Sequence, residues 1–304
     1  MIISQLVYIS EFQMAIGTLW ETLQAEGWNE SQLGVIQEEL ERIEFYRPFK
    51  KALAVERALA INEYAKFRKS RAYSDNMLTG GFGMGGGMGN PNSFTGNSSA
   101  WNDVSQVFDA VGGWMKSAGL RTAGTVRHWY WRFFLSYDDE IQYLKFQNYT
   151  IQQITEVEKG KKLYNIAEQT EQWTVEQKQN LSRFMLSSML IGGHGSYIEK
   201  SGLSETMRQM ALAAVALKRY SLQNKQPPLN LTSLVPAILK QVPMDPMDGQ
   251  PLRCKLKPDG KLLLYSVGKD GVDNNGDPAP SDNQKNKSIT SGKDWVWPEV
   301  EKAQ

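Results

Sequence analysis

The chain is poor in the residues from which most catalytic and metal sites are made. It has one cysteine, Cys254, and two histidines, His128 and His194, among 304 residues. A single thiol excludes an internal disulfide and any thiolate metal cage, and leaves Cys254 to be read as a small buried apolar residue. Neither histidine stands beside a serine or cysteine in a nucleophile motif, so both read as structural or surface residues. An excess of charge is missing as well: 34 basic residues face 33 acidic ones, for a net charge of +1. No global field draws such a chain to nucleic acid or to an anionic membrane, and partners must be argued locally. The longest apolar run, "MALAAVAL" from Met210 to Leu217, is about eight residues where a spanning helix needs roughly 20, so the chain is not expected to cross a membrane. The opening "MIISQLVYISEFQMAIGTLW" lacks the basic start and small-residue cleavage site of a signal peptide, and any anchor or export signal is expected upstream.

What is present is helical periodicity. Leu6, Ile9, Ile16, Leu19 and Leu23, then Leu33, Ile36, Leu40 and Ile43, then Leu53, Leu59 and Ile61 keep a helical beat and predict three helices over residues 1–75. Asn29 or Ser31 is placed to cap the second, and Pro48 suits the first turn of the third. Residues 76–100, "NMLTGGFGMGGGMGNPNSFTGNSSA", are so rich in glycine that ordering them would cost more entropy than their side chains return, which predicts a mobile excursion. They lack the Lys-Ser/Thr pair of a phosphate loop, and Met77, Met84 and Met88 alone make a weak copper set. Helices are expected to resume over residues 101–195. There, "RHWYWRFFLSYDDEIQYLKFQNY" brings Tyr130, Phe133, Phe134 and Tyr137 onto one helical face, which reads as a core stripe rather than a base-stacking platform. The carboxylates Asp138, Asp139 and Glu140 point in different directions on a helix and read as a solvated face rather than a catalytic pair.

Residues 196–304 differ in character. A long helix from about Tyr197 to Gln223 is apolar on most sides and must be buried against more than one neighbour. Pro227 and Pro228 end it, "LTSLVPAIL" makes a short helical turn, and Asp245 and Asp248 in "VPMDPMDGQPL" read as turn formers. Two strands follow, Leu252 to Leu256 and Lys261 to Val267, joined by a Pro-Asp-Gly turn. The fold class is therefore mainly α with a C-terminal α+β unit, in which a long helix packs on a small antiparallel sheet.

The stretch "YSVGKDGVDNNGDPAPSDN" contains Asp273, Asn275 and Asp277 at alternate positions, a spacing that suits a hard cation. An EF-hand starting at Asp273 would need glycine where Pro278 stands and glutamate where Gln284 stands. On spacing alone the stretch reads as a solvated turn.

The order of elements, an Ala-rich helix ending "ALKRY", then "LTSLVP", "VPMDPMDGQPL", "LLYSVGKDG" and "GKDWVWP", resembles the globular domain of type II secretion major pseudopilins. It is most similar to the large pseudopilin-like proteins of planctomycete and verrucomicrobial bacteria, whose helical region precedes that domain. The resemblance implies a pilin-like fold, an extracytoplasmic envelope setting, partners among secretion-system or envelope proteins, and a calcium ion holding the C-terminal loop. The positions matching its calcium pattern are Asp270 and Asp294. Asp270 and Asp294 in those positions tip the stretch toward calcium, and the long insertion between them adds Asp273 and Asp277 as candidates. About two hundred residues ahead of the pilin-like unit argue against assembly into a fibre of packed helices. The expected function is a non-catalytic envelope or secretion-associated protein, with a helical partner-binding or scaffolding module as the alternative.

Overall fold

The computed structural model describes residues 1–70, 72–73, 128–163, 165–166, 169, 172, 186–187, 194–257, 262–279, 290 and 292–297. The glycine-rich stretch 76–100 and most of 101–195 lie outside them. The described chain is mainly helical with a small antiparallel sheet: α1 (Ile2–Leu23), α2 (Glu30–Arg42), α3 (Tyr46–Lys69), α4 (Ser136–Glu158) and α5 (His194–Asn224) precede five short strands. Two compact units are assembled from separated stretches. Unit 1 takes Met1–Ala52, Ile151–Thr170 and Gly195–Gln304, and unit 2 takes Leu53–Thr150 and Glu171–His194. The N-terminal helices thus belong with the C-terminal α+β region rather than with a separate helical domain.

In unit 1 the local signals act as expected. Asn29 caps α2 through a reciprocal box, its Oδ1 accepting from the Gln32 amide at 2.9 Å while Gln32 Oε1 accepts from the Asn29 amide at 3.2 Å. Helix α1 turns Ile9, Phe12 and Ile16 inward and leaves Ile3, Val7 and Met14 exposed. By length and composition α1 could cross a membrane; Ser4, Gln5, Ser10 and Glu11 break up its apolar run, which is why a search for unbroken runs passes over it. Its inner face is engaged within unit 1, where Phe12 packs edge-on against Phe45 at 4.9 Å.

Helix α5 organises the unit. From Ser201 to Leu217 twelve of seventeen residues are buried, with Met210, Ala211, Ala213, Val215 and Ala216 fully so. Each large side chain among them contributes roughly 1.5–3 kcal/mol by leaving water. Polar bonds fix its register against α1 and α2. Lys218 Nζ donates to the carbonyls of Leu23 and Ala25 at the end of α1. The Arg219 guanidinium pairs with Glu30 and donates to Gln37 Oε1 at 2.6 Å. Arg208 is held by Glu205 and reaches the Leu40 carbonyl at 2.9 Å. Gln37, itself buried, donates to the Ile238 carbonyl at 2.8 Å beyond the helix.

The strands follow the expected hairpin and add to it. A two-residue ladder pairs β1 (Met244–Asp245) with β2 (Gln250–Pro251). A second sheet runs in the order β3 (Arg253–Leu256), β4 (Leu262–Ser266), β5 (Trp295–Val296), all antiparallel, with Cys254 opposite Leu264 and Ser266 opposite Trp295. The strand β5 comes from the "DWVW" segment and was not legible as a strand. It is only two residues long, too short for periodicity to register.

In unit 2 the sequence reading is corrected. Tyr130, Phe133, Phe134 and Tyr137 do share a face, but it points outward; Leu59 and Ile61 of α3 are also exposed. The core is built instead from Ala60, Tyr64, Phe67, Trp131, Tyr143, Phe146 and Leu186. A π-turn over Trp131–Leu135, in which the Ser136 amide donates back to the Trp131 carbonyl, leads into α4. Trp131, Asp139, Tyr143 and Phe146 then follow one inward row, so the neighbouring aromatics fall on the opposite side.

Because α5 needs α1 and α2 to cover one side, residues 195–304 expressed alone are expected to show no cooperative thermal transition, whereas the full chain melts cooperatively; circular dichroism of the two proteins checks this.

Candidate functional site

The C-terminal closure is where the sequence placed its candidate residues, and it is organised by two buried aspartates. Asp245, at the end of β1, is completely buried. Its carboxylate accepts from the Met247 amide at 3.0 Å in its own turn, then from Ser266 Oγ at 2.9 Å and the Val267 amide at 3.0 Å at the end of β4. One residue thereby ties the "MDPMDG" turn to the strand end "YSV". Arg253 Nη1 stands 3.4 Å from Asp245, and its guanidinium pairs with Asp248. Gly268 follows with φ of +69°, and a Cβ there would stand 2.5 Å from the Lys293 carbonyl and 3.2 Å from the Trp295 ring. Only glycine suits that corner.

Asp294 is the counterpart from the other end of the loop. It is fully buried, and its two oxygens accept from three backbone amides, of Asn274 at 3.2 Å, Gly276 at 2.6 Å and Asp277 at 3.3 Å. The backbone reciprocates, with the Asp294 amide donating to the Asp277 carbonyl at 3.0 Å and the Lys293 amide to the Ala279 carbonyl at 2.9 Å. Trp295 seals this closure as a fully buried ring in β5.

The other three calcium candidates are placed differently. Asp270 is exposed and accepts from the Val272 amide at 3.0 Å. Asp273 accepts from the Asn275 amide at 2.9 Å and the Tyr265 hydroxyl at 3.0 Å, with Arg253 Nε 3.8 Å away. Asp277 accepts from the Ala279 amide at 2.9 Å and pairs with Lys293 at 3.1 Å. Among the described residues no three acidic, histidine or cysteine groups come together as a metal cage would require. Asp294, Asp273 and Asp277 accept from amides, a hydroxyl or the cations Lys293 and Arg253, and Asp270 from one amide. Among the described residues no three of the four carboxylates are gathered about one point, and Asp294 is held by the chain's own amides.

Burial pushes the Asp245 carboxyl above its ordinary value, only partly opposed by the Met247 and Val267 amides and the Ser266 hydroxyl. At Asp273 burial also pushes upward, but the Asn275 amide, the Tyr265 hydroxyl and the charges of Lys255 and Arg253 prevail and hold it low. Asp277 is held low by the Ala279 amide and Lys293. Burial raises the Cys254 thiol to about 11, which keeps it protonated and unreactive at neutral pH.

The most informative residue that sequence reading misplaced is Asp139. It is completely buried rather than solvated, and it accepts from Trp131 Nε1 at 2.7 Å, the Leu186 and Ser187 amides at 2.9 Å each, the Ser187 hydroxyl, and Tyr64 Oη at 3.2 Å. Its position eight residues after Trp131 and four before Tyr143 was the available signal; its partners near residue 186 had none. Glu140 pairs with Arg68, and Asp138 is exposed. Burial, then the nearby Asp139 carboxylate, pushes the Tyr64 hydroxyl far above its ordinary range. This network holds a core together and presents no reacting group to solvent. His128 is buried within unit 2, its ring 6.3 Å from that of Trp131. The side chain of His194 lies outside the described residues.

A half-open cavity of ≈ 420 Å³ in unit 1 is lined by Gln152, Glu156, Lys161, Asn165, Asp248 and Gln250, among others. Its acids are already paired, Glu156 with Lys159 and Lys161, and Asp248 with Arg253. No protein family, curated protein or solved structure matches the chain.

Asp294→Ala should cost about 2–3 kcal/mol by stranding amide donors, and the loss should be equal with calcium and with EGTA; denaturant unfolding measures it. The native protein should melt at the same temperature under both conditions. Asp245 gives a pH signature of opposite sign to Asp273 and Asp277. Its raised folded pKa confers stability that is present below its ordinary value of 3.8 and is lost as pH rises through the folded pKa. The lowered pKa values of Asp273 and Asp277 confer stability present above 3.8 and lost as pH falls. In urea titrations from pH 3 to 7, Asp245→Asn should remove the first component and leave the second.

Proposed function

We propose that the chain is a non-catalytic bacterial envelope or secretion-associated protein whose C-terminal region is a pilin-like unit. The observation that carries this reading is the paired use of buried carboxylates around the sheet. Asp245 joins the Asp-Pro-x-x-Gly-type turn to the end of β4, and Asp294 with Trp295 closes the acidic loop onto the same strand. Behind them stands a 31-residue helix, α5, leading through a short 3₁₀ turn into an antiparallel sheet. That order and those anchoring residues are what the resemblance to major pseudopilins rests on.

The same geometry supports a structural rather than a catalytic role. Asp139, Asp245, Asp248 and Asp294, the buried acids among the described residues, all spend their oxygens on donors of their own fold. A general acid or base needs a lone pair or proton free to reach substrate. Calcium is not required in this reading, because Asp294 is met by backbone amides and Asp273 and Asp277 stand beside Arg253 and Lys293.

The test is localisation in the native cell. A tagged full-length protein should fractionate with the envelope and be digested by protease added after outer-membrane permeabilisation. Recovery in the cytosol, protected from protease until the inner membrane is lysed, would overturn the reading.

A further inference from the structure

We infer that the half-open cavity of unit 1 is a binding site for a short saccharide carrying an acidic group. Its walls are the last turns of α4, the stretch that follows them, and the turn between β1 and β2. Five carboxamides converge there, those of Gln152, Gln153, Asn165, Gln169 and Gln250. None of these five side chains has a hydrogen-bond partner among the described residues. Gln153 is the informative one, because it is only 9% exposed. A polar side chain so withdrawn is costly unless another group answers it. Gln37, buried like it, spends its amide on the Ile238 carbonyl; Gln153 keeps its amide for whatever enters the cleft. The walls are fixed to each other. The Leu163 amide donates to the Pro246 carbonyl at 3.0 Å, and Gly249, with φ of +70°, comes so close that a Cβ there would stand 2.4 Å from the Gly160 carbonyl oxygen. Leu163 in turn is seated on α5, where a Cβ at Gly202 would stand 2.0 Å from its Cδ2. A ligand therefore meets groups on a frame already in place, in a volume of ≈ 420 Å³ that is ordinary for a small-molecule site.

The lining identifies the class of ligand. A carboxamide holds an N–H donor and a C=O acceptor side by side, and a hydroxyl both gives and takes a hydrogen bond, so a field of carboxamides matches a polyhydroxylated molecule. Among the described residues Ile166 is the one aliphatic side chain in the lining, and no aromatic ring joins it. An apolar ligand, or a peptide that binds through its apolar side chains, finds no pocket there. Without a ring to stack against a sugar face, recognition rests on hydrogen bonds. Charge adds one requirement. Glu156 is engaged by Lys159 and Lys161, and Asp248 by Arg253, which leaves Lys162 as the one charged lining residue with no ion-pair partner among the described residues. A single ammonium beside neutral amides suits one carboxylate on the ligand, whereas a phosphate chain would call for clustered cations and meet Glu156 and Asp248 instead. The site lies wholly within unit 1 and does not depend on the envelope assignment, since localisation decides that reading and sugar binding decides this one.

The test is retention of the full-length chain on an array of short oligosaccharides, some neutral and some containing a uronic acid, followed by calorimetric titration with the members retained. Members containing a uronic acid should be retained over their neutral counterparts. Gln152→Ala with Asn165→Ala should weaken binding of both kinds by about tenfold. Lys162→Gln should weaken the acidic members by at least about tenfold and erase the preference for them. Melting temperatures should not change, because none of these side chains is bonded within the fold. The inference is overturned if no member is retained, if neutral and acidic members are retained alike, or if binding is indifferent to the three substitutions.

Discussion

Unit 1 depends on the burial of α5. A helix whose residues from Met210 to Leu217 are all apolar cannot present that turn to water on any side, so it must be surrounded there. Helices α1 and α2 supply one wall, and the polar bonds from Arg208, Lys218 and Arg219 select one register among the many that a smooth alanine-rich surface would permit. The chain had to bring its first fifty residues back to its last hundred to do so. This is why a division in chain order, with a helical region first and an α+β domain after it, misdescribes the packing.

A second regularity is the use of aspartate as an internal fastener. Asp139, Asp245 and Asp294 are each withdrawn from water, and each collects backbone amides from a segment distant in sequence. A short carboxylate loses little rotamer entropy, and it accepts several N–H groups at once. These charge-assisted bonds offset the cost of desolvating it and specify a unique closure. Asp270, Asp273 and Asp277 of the loop are of another kind. They form local turns, and Asp273 and Asp277 stand beside Arg253 and Lys293.

Functionally the two units divide the chemistry. Unit 1 contains the closure that supports the pilin-like reading. Unit 2 carries a network that locks its core inward and a row of aromatics that faces outward. Both follow from one helix, because an inward row through Trp131, Asp139, Tyr143 and Phe146 leaves the residues between them no direction but solvent.

Local chemistry was legible in the sequence. The Asn29 cap, the helical beat of α1 and α2, the proline end of α5, the β3–β4 hairpin strands and the turn role of Asp245 all depend on residues within a turn or two of each other, so propensity and spacing suffice. The outward direction of Tyr130, Phe134 and Tyr137 was not legible, because periodicity says which residues share a face and not which face meets the core. Nor were the burial of Asp139 and the amide partners of Asp294, since these bonds join residues about 20 to nearly 50 positions apart. The sequence alone determined the helices, the strands and the candidate acids. Only the tertiary structure decided which acids became buried fasteners and which aromatics were left exposed, because both depend on what packs against each face after long-range closure.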